Sequence, residues 1–420
     1  MNRRELLKRF ALMAGAVALP RRLFAKDRVK DSLVRTTWQS KMLTLGAKWA
    51  VWLDQQVAAV AAGKQSAIFG WGVESQIWYY DGGRVLLQVA DHLNDSWAGL
   101  HAKQAVPKYN PSHYAYLVLN EYENYVLSQP VPPGFGPGYR VFPYGITMAA
   151  WRDPGNPKHK QALDYLIKNS AFIASGLRYL RQHNEPKGAT WSPWAIRESA
   201  YAADVLICQW MLEGTVHPLL NPAIYDCVIA DLQAFMTPGS QSYLGTASPD
   251  NPDKSVNNFM IGLALETLIH YYDQTVLAGS PDTKIPPIVK QTLDFMWANC
   301  VEPDSSAMYY NNLAKRGWCT LPDGTKQIYT ASSLNNLISP AWAWYAAHFD
   351  PSYQPQFDAL FSAGIMGAGK SNTCSIRSQD YAYTGKQYSQ NFKWSFDGVR
   401  FRQGNLGVLP QLELEKAALR

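Results

Sequence analysis

Cysteine is scarce, at five residues in 420. Cys208, Cys227, Cys300, Cys319 and Cys374 fit neither a zinc-binding nor a c-type haem spacing. The odd count leaves at least one thiol over if the others pair. Cys300 with Cys319 is the pair suited to an oxidising compartment, whereas Cys208 and Cys227 lie inside apolar helical runs and read as core thiols. Also missing are G-x-S-x-G, a Walker phosphate loop, a dinucleotide fingerprint and H-E-x-x-H. Nothing therefore spells out a cofactor or metal site, and none is expected. No run of about eighteen apolar residues occurs beyond the N-terminus, so no membrane span is expected in the mature chain.

A net basic charge is missing too, once the N-terminus is set aside. The whole chain is formally +6. Arg3, Arg4, Lys8, Arg9, Arg21 and Arg22 stand against Glu5 alone in residues 1–25, and the remainder is close to neutral. Nucleic-acid binding needs a concentrated basic face, and none is present. What residues 1–25 do contain is an arginine pair, a short apolar run from Phe10 to Leu19, and Ala25 at a cut site with Leu23 where a smaller residue is usual. Basic, apolar and cleavable segments in that order read as an export signal. The arginine pair followed by Leu6-Leu7-Lys8 resembles the twin-arginine class, whose translocon carries folded proteins. An ordinary secretory signal or a basic amphipathic N-terminus are the other readings. The expected location is periplasmic or secreted, in a bacterium.

With 47% apolar residues, the chain can bury a large core. Most of it reads as helices joined by Pro/Gly/Asp-rich loops. Helical spacing covers 144–151, 160–174, 197–212, 224–235, 258–272, 288–299, 334–349 and 356–365, with weaker boundaries at 38–61, 79–93 and 113–127. Asp81-Gly82-Gly83 reads as a turn in which glycine supplies positive φ. Hairpins of this kind recur and must stack, because none buries its apolar face alone. An open solenoid and a closed ring both fit. The ring is favoured because the leading helix of each pair is apolar on nearly all sides, as an inner helix must be. The expected fold is all-α, an (α/α) toroid in one domain over residues 35–405, followed by a tail at 406–420.

At this level the chain resembles the (α/α) toroid polysaccharide lyases and glycoside hydrolases, and Gly385 to Phe396 looks like the tail of exported toroid-like proteins. The 15 Trp, 24 Tyr and 15 Phe suit a cleft for sugar rings, or equally a large aromatic core. The resemblance implies cleavage of a polysaccharide or oligosaccharide. The first expectation is β-elimination on a uronate-containing glycan, the second a hydrolase with Glu198 as general acid. A non-catalytic glycan-binding or exopolysaccharide-assembly protein remains open, since fold alone confers no activity.

β-Elimination needs a group to neutralise the uronate carboxylate, a base for the C5 proton and an acid for the leaving oxygen. Toroid lyases use Asn, Arg or Gln for the first task and Tyr or His for the others. Asn258 or Arg197 is the candidate for the carboxylate, and His113, Tyr144 and Tyr201 for proton transfer. Asn257-Asn258 open a helix, where free N–H groups favour anions, although capping explains one Asn as well. Arg197 and Glu198 stand out on an otherwise apolar helix, where a structural ion pair competes with catalysis. A hydrolase needs a second carboxylate about 5–10 Å from Glu198, from Asp81, Glu74, Glu121 or Asp253. Candidate glycan contacts are Trp78, Tyr139, Arg140, Trp191, Trp194, Asn257, Lys386, Gln390 and Trp394.

Overall fold

A computed structural model of the chain describes residues 81–88, 111–129, 142–182, 195–237, 258–304, 306–309, 318–320, 326–328 and 335–366, with isolated positions at 55, 58, 62 and 398. The described part is largely helical. The helices are α1 (82–88), α2 (Pro111–Ser128), α3 (Pro143–Arg152), α4 (Pro157–Gln182) and α5 (Ala195–Glu213). Next comes α6, which runs from Leu220 to Met236 with a π-helical stretch at Ala223–Ile229. The series ends with α7 (Asn258–Leu277), α8 (Ile285–Cys300), α9 (Asn335–His348) and α10 (Gln354–Met366). Two short antiparallel hairpins lie between α8 and α9. In one, β1 (Val301–Glu302) pairs with β2 (Ala307–Met308); in the other, β3 (Trp318–Thr320) pairs with β4 (Lys326–Ile328).

Burial sorts the helices into two layers. Every described side chain from Pro143 to Ala150 on α3 and from Asn335 to Ala346 on α9 is buried, as are those of α5 from Ile196 to Cys208. The even-numbered helices instead show the one-sided pattern of a surface helix. On α8, for example, the buried set is Ile285, Pro286, Val289, Thr292, Leu293, Met296 and Cys300. Among the odd-numbered helices, α3 packs on α5, α5 on α7 and α7 on α9. From α4 onward each even-numbered helix lies against its own leading helix, and α2, α4, α6 and α8 also touch the leading helix that follows. The row of leading helices curves inward, because Arg84 on α1 reaches Glu266 on α7 at 2.9 Å.

Helix starts follow local chemistry. Pro143 opens α3 and prolines stand in the first turn of α8, where a missing N–H costs nothing. Phe142, just before α3, donates its N–H to the Tyr122 hydroxyl on α2 at 2.8 Å. The Asp81-Gly82-Gly83 turn differs from expectation in one respect. Positive φ falls on Asp81 itself, at 63°, and the glycines begin α1. Cys208, Cys227 and Cys300 are buried thiols. Cys208 and Cys227 are core residues as expected, but Cys300 is a free thiol, so the Cys300–Cys319 bridge is not formed. Burial raises the Cys300 thiol above its usual range. The signal segment 1–25, the tail 406–420 and most of the helical stretch 38–61 lie outside the described residues.

The close approach of α7 and α9 depends on Gly262. A Cβ there would come within 2.7 Å of both Ile338 Cγ2 and the Leu337 carbonyl oxygen. Gly262→Ala is expected to lower stability by about 1–3 kcal/mol, read as a lower urea midpoint. Gly155→Ala is the control: its Cβ would meet nothing nearer than Asp153 Oδ1 at 3.7 Å, and the midpoint should hold.

Candidate functional site

Polar side chains meet where the leading helices converge. Tyr144 is the second residue of α3, and its hydroxyl donates to Asp204 Oδ1 on α5 at 2.5 Å. The same oxygen lies 2.6 Å from His270 Nδ1 on α7. A phenol has one proton, so with Asp204 as acceptor, His270 donates through Nδ1–H, which in the neutral imidazole leaves the lone pair on Nε2. The two rings meet edge to face, with centroids 4.7 Å apart. Arg84 completes the cluster from α1. Its Nη1 donates to Glu266 Oε1 at 2.9 Å, and its guanidinium carbon lies 5.0 Å from the centre of the Tyr144 ring.

All five residues are at least nine-tenths buried, Arg84 completely. Charges taken from water at this depth require partners, and the cluster supplies them pair by pair. Burial, followed by the nearby Asp204 carboxylate, holds the Tyr144 phenol well above its ordinary range. Tyr144 therefore acts in its neutral form. Cys208, one turn beyond Asp204, is likewise raised by burial, which suppresses its thiolate.

The remaining sequence candidates divide three ways. Tyr144 is at the centre of the cluster. Arg197, Glu198 and Tyr201 are buried at the start of α5, on the helix that also carries Asp204. Arg197 donates through Nε and Nη2 to Glu198 Oε1, at 3.0 and 2.7 Å, so the structural ion pair is formed. Tyr201 meets Phe142 edge to face, with centroids 5.6 Å apart. Asn258 is the first residue of α7, and its Nδ2 donates to the Tyr309 carbonyl at 2.7 Å. That bond ties α7 to the end of the β1–β2 hairpin. His113 falls in the first turn of α2, and its side chain lies outside the described residues. Trp78, Tyr139, Arg140, Trp191, Trp194, Asn257, Lys386, Gln390 and Trp394 lie outside the described residues.

Of the second carboxylates considered, Asp81 is buried against two backbone amides. Glu121, on α2, is only partly buried, and burial raises it. Glu74 and Asp253 are outside the described residues. Arg84, Asp204, Glu266 and His270 were missed as site residues. Their signal was faint but present: a charge or imidazole within an otherwise apolar run, with Glu266 and His270 one turn apart on a single face of α7.

No metal-binding group of three or more His, Cys, Asp or Glu occurs among the described residues. A second buried pair sits between the outer helices. Glu123 Oε1 on α2 and His159 Nδ1 on α4 are 2.5 Å apart, and Asn156 lies against the far nitrogen of the imidazole. That pair fastens α2 to α4 and shares no residue with the central cluster.

The raised phenol fixes the sign of a pH effect. A group whose folded pKa exceeds its unfolded value stabilises fully below the unfolded pKa, near 10 for tyrosine. That stability is lost as pH rises, because the unfolded phenol ionises while the folded one does not. Tyr144→Phe should cost about 1–3 kcal/mol at pH 8 by depriving Asp204 and His270 of the hydroxyl. The gap between wild type and variant should then narrow above pH 10, by about 1.4 kcal/mol per pH unit. Urea unfolding of both proteins from pH 8 to 11 measures it.

No family model matches the chain, and no curated protein matches it. Among solved structures it is distantly similar to the unsaturated glucuronyl hydrolase of Bacillus sp. GL1, described as responsible for the degradation of glycosaminoglycan. The two are 12% identical, and the match covers 65% of this chain and 87% of that one at a TM-score of 0.30.

Proposed function

We propose that this protein is an exported carbohydrate-active enzyme. In this proposal its helical hairpins close as an (α/α) toroid, and it cleaves a uronate-containing polysaccharide by β-elimination. One observation carries the chemistry: the Tyr144 hydroxyl is gripped between Asp204 and His270 where four leading helices meet. The contact from Arg84 on α1 to Glu266 on α7 supports closure of the ring. Export through the twin-arginine translocon rests on the arginine pair at residues 3 and 4.

His270 is the base. Its Nε2 takes the C5 proton, and the positive charge that forms on the imidazole is met through Tyr144 by the Asp204 carboxylate. The C4–C5 double bond forms as the C4–O bond breaks. The departing oxygen keeps the bonding electrons and takes a proton from Tyr201, which solvent exchange later restores from His270. Arg197, at the mouth of α5, steadies the uronate carboxylate, whose charge must be neutralised before C5 becomes acidic. His270 thus takes the part expected of His113, and Tyr144 orients the base instead of transferring the substrate proton.

Hydrolysis is the second reading. Asp204, bonded to the Tyr144 hydroxyl, and Glu266, whose charge also bears on that phenol, are the carboxylate pair this reading would use.

The mature chain should be incubated with a panel of uronate-containing polysaccharides. Elimination gives the ultraviolet band of a conjugated unsaturated uronate. Reducing ends without that band indicate hydrolysis, and retention without cleavage a binding or assembly protein. His270→Ala should reduce kcat by about 10²–10⁴-fold, the usual contribution of a positioned acid–base group. Full activity in His270→Ala would remove the imidazole from the mechanism.

A further inference from the structure

Asp81 holds a backbone conformation that other residues avoid, and it does so while buried. Its φ is 63°, and it is 3% exposed. Strain of this kind persists only where the surroundings enforce it, and it gathers at functional sites. Here the surroundings are two helix starts. The Asp81 carboxylate accepts from the Arg84 N–H, in the first turn of its own helix, at 3.4 Å. It also accepts from the Gly145 N–H, in the first turn of α3, at 3.1 Å to Oδ1 and 3.3 Å to Oδ2. One carboxylate therefore caps two helices, at the ends where free amides and the positive ends of two dipoles coincide.

The contact is close as well as bonded. A Cβ on Gly145 would stand 2.7 Å from the Arg84 nitrogen and 2.8 Å from Asp81 Oδ1, so only glycine fits. The two segments clipped together are those that carry Arg84 and Tyr144. Tyr144 directly precedes Gly145, and the Arg84 guanidinium lies over its ring. We infer that Asp81 is a positioning residue for the proton-transfer site. It clips α1 to the first turn of α3 and thereby aims the Tyr144 hydroxyl at Asp204 and His270. Only the catalytic consequence rests on the proposed elimination; the positioning itself is a property of the resting protein.

The test labels the protein with ¹³Cζ-tyrosine and ¹⁵N-histidine and identifies the two signals through Tyr144→Phe and His270→Gln. Asp81→Ala is expected to shift both the Tyr144 and the His270 resonances. It should also lower kcat by about 10- to 100-fold, the scale of a misplacement near 1 Å, with KM nearly unchanged. Asp81→Asn tolerates the left-handed backbone and keeps one acceptor oxygen, so its shifts should lie between Asp81→Ala and wild type. A folded Asp81→Ala protein whose two resonances stay in place overturns the inference, whatever its melting temperature. If Asp81→Ala does not fold, Asp81→Asn decides, and unshifted resonances there overturn it too. If wild type cleaves no polysaccharide, the proposed reaction falls while the resonances still decide the positioning.

Discussion

The cluster at the centre of this molecule is governed by the cost of burying charge. Arg84, Asp204, Glu266 and His270 lie among fully buried apolar side chains such as Leu86, Leu206 and Leu265. Each would be prohibitive alone. Together they form a connected set, with Arg84 on Glu266 and with Tyr144 joining Asp204 to His270. The set draws on α1, α3, α5 and α7, so its bonds form only when those helices take one mutual arrangement. Replacing such a set by apolar residues is often neutral or stabilising in proteins. A cluster of this cost is therefore weak evidence for stability and better evidence for a task.

The same polar economy extends to the helix ends. The leading helices start close together, and their first turns expose amides that need acceptors. Asp81 meets one amide in each of two helices, and the Tyr122 hydroxyl meets the amide of Phe142, just before α3. Side chains that might have been read as ligand groups are thus committed to backbone. Asn258 is a case in point: its amide nitrogen is spent on the Tyr309 carbonyl.

How much of this was legible in the sequence depended on periodicity. The hairpin grammar located the eight well-bounded helices to within a few residues at most ends, because apolar spacing and Pro/Gly punctuation are local signals. Residues 160–174 were the main shortfall: α4 continues to Gln182 past Ser175-Gly176, which read as a stop although Leu177 and Leu180 resume the apolar spacing. Tyr144 was legible as a candidate because it follows a loop rich in Gly and Pro, Val131 to Gly138, of the kind that rims a site. His270 was not, since an imidazole inside the apolar run of α7 looks like any satisfied core histidine until Tyr144, 126 positions away in the chain, is brought to it. Asp81 looked like a plain turn because its partner, Gly145, is 64 positions distant. Long-range pairing is the information that local pattern lacks.

The most direct measurement is a crystal structure of the His270→Ala protein soaked with a uronate oligosaccharide. The account predicts a sugar ring at the convergence of α3, α5 and α7, with C5 about 3–3.5 Å from where His270 Nε2 would lie and the carboxylate turned toward Arg197. An oligosaccharide bound only on the outer helices, away from Tyr144, would contradict it.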